Sequence, residues 1–154
     1  MKTQQSMLDA GLLGMRITVG LYMLLAGFGK VRGEISNGLG SFYRGPFKSM
    51  QPTWLPDAMA LPYGYVLPWI EVLVGIMLIL GLFTRLVGLA GLGMLVSFTI
   101  ALIIKLDTIK AQPDGPGGPF SANYIQSSAY LLFVLVGAGN WSIDSLRLKR
   151  KKSG

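Results

Sequence analysis

Apolar positions along this chain gather into four long blocks, with polar and proline-rich stretches between them. A hydrocarbon layer of ~30 Å needs about 20 mostly apolar residues in a helix. The first block, 11–29, is interrupted only by Arg16, and the second, 63–83, only by Glu71. The third, 86–104, carries no charge. The fourth, 120–139, has none either, but opens with Ser121, Asn123, Gln126, Ser127 and Ser128 and is the weakest of the four. A soluble helical domain shows a polar face on every helix, and the third block shows almost none. The first block is longer than a secretory h-region and lacks a clear small-residue cleavage site, so it reads as a retained span.

The intervals between blocks differ. Thr84-Arg85 alone separates the second from the third, which predicts a tight hairpin. Residues 30–62 read as a long loop on the membrane surface. It holds Phe42, Tyr43, Phe47 and Trp54, and Pro46, Pro52, Pro56 and Pro62 limit its regular structure. Residues 105–119 read as a second, Pro/Gly-rich loop. The stretch 137–144 reads as a helix end, a turn with an interfacial Trp141, and a new helix capped by Ser142. The predicted fold is thus all-α: a four-transmembrane-helix bundle, one membrane domain over 1–154, with 145–154 as a basic cytoplasmic tail.

Composition narrows the chemistry. Half the residues are hydrophobic (51%), only 14% are charged, and mean hydropathy is +0.52. Soluble domains carry about 25% charged residues. The chain has neither Cys nor His. It therefore has no disulfide, no zinc, iron-sulfur or haem site built on those residues, and no Ser-His or Cys-His catalysis. No catalytic residue is assigned; the chain is at most a subunit of an enzyme.

Fourteen basic against seven acidic residues give a net charge of +7. Four crossings put Lys2, Arg85, Arg147, Lys149, Arg150, Lys151 and Lys152 on one side. Lys30, Arg32, Arg44, Lys48, Lys105 and Lys110 fall on the other. The dense tail close to the last span orients both termini to the cytoplasm of a bacterial inner membrane. Beside a membrane such a tail faces anionic lipid headgroups rather than nucleic acid.

Arg16 and Glu71 are the informative residues, because an ionisable group at membrane depth faces protein or a wet cavity. Arg16, Gly20, Met23, Gly27 and Lys30 lie on one stripe of a helix at ~100° per residue. Glu71, Gly75, Leu78, Leu82 and Arg85 form a second stripe of the same spacing. Glycines there permit close helix approach, and Pro68 frees a backbone carbonyl near Glu71. The expectation is a polar chain among Arg16, Lys30 and Glu71. Three readings stay open: a pair that fixes helix register, an Arg16 that snorkels to the headgroups, and a ligand or proton site. In the last, Arg16 or Lys30 donates to an anion or a quinone carbonyl and Glu71 handles a proton. Tyr22, Tyr63, Tyr65 and Trp69 then either line the pocket or anchor the interface.

Five short pieces resemble the DoxX family of small four-span bacterial membrane proteins. They are Arg16-(x)3-Gly20, Ala26 to Lys30, Leu67-Pro-Trp-Ile-Glu71 to Gly75, Leu80 to Arg85, and Gly137-x-Gly139-x-x-Ser142-Ile-Asp144. The resemblance implies an accessory or quinone-proximal subunit of an electron-transfer membrane complex. The redox centre would be held by partner subunits, quinone would be a non-covalent ligand, and Arg16, Lys30, Glu71 and Arg85 would be the polar positions of interest. The alternative is a purely structural scaffold or lipid-binding subunit without a catalytic site. A transporter fits less well, since no paired repeats are evident.

Overall fold

A computed structural model describes residues 2–106 and 119–152. Among these the chain is helical throughout, without strands: α1 (Lys2–Asn37), a π-helical turn (Tyr43–Phe47) running into α2 (Lys48–Met50), α3 (Asp57–Leu80), α4 (Thr84–Leu106), α5 (Pro119–Val136) and α6 (Ile143–Lys152). Three helical segments are long and apolar enough to cross a membrane, Thr3–Asn37, Asp57–Leu80 and Thr84–Ile104. A shorter apolar stretch, Ala122–Val136, belongs to α5.

The surface is inverted relative to a soluble bundle. Leu21, Leu25 and Phe28 on α1, Leu73 and Leu80 on α3, Leu86 and Leu89 on α4, and Leu135 on α5 all face outward, while Asp9, Arg16, Glu34 and Glu71 are buried. A soluble monomer rarely exposes so continuous an apolar surface; lipid as solvent accounts for it.

Helices α1 and α3 pack on glycine. A Cβ on Gly20 would meet the Gly75 carbonyl at 2.9 Å, and one on Gly75 would meet the Leu24 amide at 2.6 Å. One on Gly27 would meet the Val72 amide at 2.7 Å and the Glu71 Cβ at 2.8 Å. The obstacles are mostly backbone, so no side chain can move aside. Helix α4 meets α5 in the same manner, with Gly91 against the Tyr130 ring and Gly88 against Phe133. Val19, Met23, Leu67, Val74, Leu78, Met94, Leu95, Tyr130 and Phe133 fill the common core.

The long loop expected over 30–62 is shorter. Helix α1 continues to Asn37 and α3 begins at Asp57, so only residues 38–56 connect them, and part of that is helical. Charge at Lys30, Arg32 and Glu34 suggests a span end, yet Lys30 and Glu34 both find partners inside the fold, and the helix runs on. The α3–α4 turn lies slightly earlier than expected. Gly81 ends α3 in the left-handed region (φ 65°), Phe83 follows at φ 49°, and Thr84 already opens α4. Of the loop expected over 105–119, residues 107–118 lie outside the described residues.

Gly27→Ala should destabilise the protein by about 1–3 kcal/mol through overpacking. Gly29→Ala, on the same helix and facing open space, should be neutral or stabilising by up to about 1 kcal/mol through helix propensity. Thermal unfolding of both variants in detergent checks the order; equal effects would remove the close-approach argument.

Candidate functional site

Two polar clusters form, one at each end of the bundle. Arg16 and Lys30 share a helical stripe but stand fourteen residues apart, roughly 21 Å at 1.5 Å per residue. They belong to different clusters.

In the first cluster the Lys30 ammonium of α1 donates to both carboxylate oxygens of Glu71 on α3. The Glu71 side chain is 2% exposed and that of Lys30 27%. The pair forms beside the close approach of α1 and α3 at Gly27. Lys30 also lies 5.3 Å from the Phe42 ring centroid and 5.8 Å from that of Phe98, within cation–π range. Tyr63 and Tyr130 are within electrostatic reach of Glu71. The Tyr63 hydroxyl shares a 2.9 Å hydrogen bond with Ser97 Oγ.

The connection 38–56 is held over this pair by Glu34, which is itself 2% exposed. Its carboxylate accepts the Gly40 amide, the Phe42 amide at 2.7 Å and the Ser41 hydroxyl at 3.4 Å. Gly40 adopts φ 83° with the Tyr65 hydroxyl where a Cβ would stand. Only glycine satisfies both demands. Phe42, Tyr43, Phe47, Tyr63 and Tyr65 then pack in ring contacts of 5.7–6.1 Å. Between this aromatic group and α4 lies a cavity of about 590 Å³. Lys30 lines it with Phe42, Phe47, Trp54, Tyr63, Phe98 and Ala101; Gln51, Ser97 and Asn123 add a few polar groups. A half-open apolar volume with sparse polar groups around one ammonium suits an amphipathic molecule with an acceptor head.

At the other end, Arg16 is 1% exposed and donates to the Trp141 carbonyl at 2.5 Å. Its guanidinium rests where a Gly81 Cβ would be, over the C-terminus of α3. The partial negative charge of that helix end favours a cation, and Asp144 is the carboxylate in electrostatic contact. Asp144 accepts the amides of Phe83 and Thr84, both at 2.8 Å, and its own amide donates to the Gly81 carbonyl. Asp9 accepts both the backbone and side-chain N–H of Asn140 at 2.9 Å. Ser142 caps α6 through the Ser145 amide. Residues 137–144 are thereby fastened to α1, α3 and α4.

Of the remaining candidates, Gly20, Gly27 and Gly75 lie in the α1–α3 contact. Tyr22 and Trp69 are on the outer surface. Arg85 reaches the Leu135 carbonyl at 3.4 Å, in the second cluster. Sequence reasoning passed over Asp9, Glu34, Gln126 and Tyr130, all buried. For Glu34 a signal existed in the Gly38 and Gly40 that follow it, marking a turn within reach of its carboxylate.

The fold and its buried charges define a multi-pass helical membrane protein. The chain belongs to the family of the methylamine utilisation protein MauE, whose family model matches residues 8–141. This overturns the DoxX resemblance. The short pieces that carried it are close-approach glycines, helix-end glycines and buried charges, which answer general demands of helix packing and do not mark one lineage. Comparison with curated proteins and with solved structures yields no match.

Removing one partner of a buried ion pair costs about 3–5 kcal/mol, because the other is left uncompensated. Lys30→Met should therefore destabilise more than Glu71→Gln, since Lys30 can reach outward along its stem and Glu71 cannot. Lys30→Met combined with Glu71→Leu should recover a large part of the loss. A double-mutant cycle of unfolding free energies checks this; additive losses would mean that the pair is not coupled.

Proposed function

We propose that this chain is a four-crossing subunit of the bacterial inner membrane, accessory to methylamine utilisation, that holds a quinone beside Lys30. The family supports the first part, and α5 completes the fourth crossing. Both termini lie in the cytoplasm, next to the basic α6. The chain has neither Cys nor His, and in this reading partner subunits carry the redox centre.

One observation carries the ligand reading: the Lys30 ammonium, anchored by Glu71, lines an aromatic cavity of about 590 Å³. An ammonium has three donors. Two are directed at Glu71, and a quinone carbonyl is a suitable acceptor for the third. Aromatic rings on either side fit a flat ring, and Asn123, which uses one N–H on Thr99, offers a further donor. Glu71 fixes the position of Lys30 next to an apolar volume. Lys30 is here a binding residue, and electron transfer belongs to the partner.

A second reading, a purely structural or lipid-binding subunit, draws on the position of the same pair beside the close α1–α3 approach at Gly27, where it fixes register. Filling the cavity separates the two. Ala101→Phe occupies cavity volume without touching the ion pair.

The test uses Trp54, which lines the cavity, in a protein carrying Trp69→Phe and Trp141→Phe. Decylubiquinone should quench its fluorescence saturably. Ala101→Phe should weaken that binding at least about tenfold, a loss of about 1.4 kcal/mol, with unchanged thermal stability. Unsaturable quenching, or no effect of Ala101→Phe, would discard the quinone and leave the structural reading. Deleting the chain from its host should impair growth on methylamine and spare growth on other substrates; equal growth on methylamine would discard the accessory role.

A further inference from the structure

The second polar cluster borders a cavity that the reading above does not use. It has a volume of about 950 Å³ and lies between the start of α4, the α5–α6 connection and α6. It is at the opposite end of the bundle from Lys30. We propose that it binds the phosphate group of an anionic phospholipid.

Charge is the first argument. Arg85 from α4 and Arg147, Lys149 and Lys151 from α6 line the cavity, against the single carboxylate of Asp144. Both Asp144 oxygens already accept backbone amides of Phe83 and Thr84, so the carboxylate is turned into the fold. Arg147 lies over the Phe83 ring at 4.8 Å, a contact that orients its planar fork. An oriented guanidinium suits a phosphate, which it can meet with two parallel hydrogen bonds. Arg85 makes a long hydrogen bond of 3.4 Å to the Leu135 carbonyl, which leaves most of its five donors for a ligand.

A buried polar group points the same way. Thr84 lines the cavity and is 1% exposed, and its hydroxyl has no hydrogen-bond partner. Such a group normally finds one.

The apolar part of the lining selects lipid over soluble phosphate. Leu86, Val136 and Leu148 border the same cavity and are 66%, 51% and 63% exposed. Leu86 and Val136 continue into the outward apolar faces of α4 and α5. A phosphate set among Arg85, Arg147 and Lys151 would have its acyl chains lying along those faces. A free phosphate would leave that surface unused. Helix α6 thus acts as half of a headgroup clamp, which makes its basic residues more than a diffuse attraction to the bilayer.

The site is tested by native mass spectrometry of the detergent-solubilised protein with phosphatidylglycerol or phosphatidylcholine of matched acyl chains. Wild type should retain phosphatidylglycerol preferentially. A basic residue near an anionic surface contributes about fivefold, so Arg85→Gln with Arg147→Gln should reduce the preference by about 25-fold. Arg85→Lys with Arg147→Lys should keep most of it, and Lys48→Gln, on the far loop, all of it. Equal retention of the two lipids by wild type overturns the proposal, whatever the folding of the variants. So does an unchanged preference in a folded double glutamine variant. Inorganic phosphate that displaces phosphatidylglycerol at equal concentration would reassign the cavity to soluble phosphate and overturn the lipid assignment.

Discussion

The ion pair between Lys30 and Glu71 requires the α1–α3 crossing to be as close as it is. Ammonium and carboxylate reach one another across two helices only if the backbones approach, and Gly20, Gly27 and Gly75 permit that approach. Attraction alone would not hold two charges in an apolar bundle, because desolvation offsets much of the Coulomb gain. The glycine contact supplies packing next to the pair, on the side toward Arg16, and the pair fixes which register of that contact is used. Each feature is unfavourable without the other: bare glycine stripes can slide, and a lone carboxylate among Leu and Val would be neutral or expelled.

The two ends of the bundle use buried charge differently. Around Arg16, an α3 helix end, the Trp141 carbonyl and Asp144 are the neighbours of the buried guanidinium, which lines neither of the two cavities. Its task is to fasten the 137–144 segment, which in turn ties α5 to α1. Around Lys30 the charge is met by a single carboxylate and one side opens on an aromatic cavity. Glu34 adds to the contrast. Its buried carboxylate accepts from Gly40, Ser41 and Phe42 of the connection, and by fixing Phe42 it shapes the wall that Lys30 faces.

Much of this was legible in the chain because lipid imposes a simple rule on it. The apolar blocks located the helices, and the stripes on 16–30 and 71–85 named the glycines that meet. The helix end at Gly137 was also readable, and that residue takes a positive φ; the end at Gly81 was not, because the apolar run continues through Leu82 and Phe83. Nor was loop length. Charge at Lys30 and Glu34 looks like water exposure in one dimension, and only the partners across the fold, Glu71 and the Gly40 amide, reverse that. The same limitation hid Asp9, whose partner Asn140 is 131 positions away. It also drew Arg16 and Lys30 into one polar chain: a stripe fixes the angle around a helix and says nothing about which distant residue is met at each height.

Lineage was misread for a related physical reason. Gly27 before Lys30, Glu71 after Pro68, and the turn from Gly81 to Arg85 look like a signature because they recur at set intervals. Those intervals are the helix repeat. Membrane helices that cross closely and bury a charge pair favour glycine three or four residues from the charge, and commonly end in a left-handed glycine where the chain reverses. Such a pattern constrains architecture strongly and ancestry weakly. A match running continuously over residues 8–141 draws also on positions that packing does not dictate, and these carry the record of descent. The functional argument inherits the same distinction. What the glycines and helix ends share with other bundles is support, and what belongs to this chain is the aromatic wall of residues 42–63 set against Lys30.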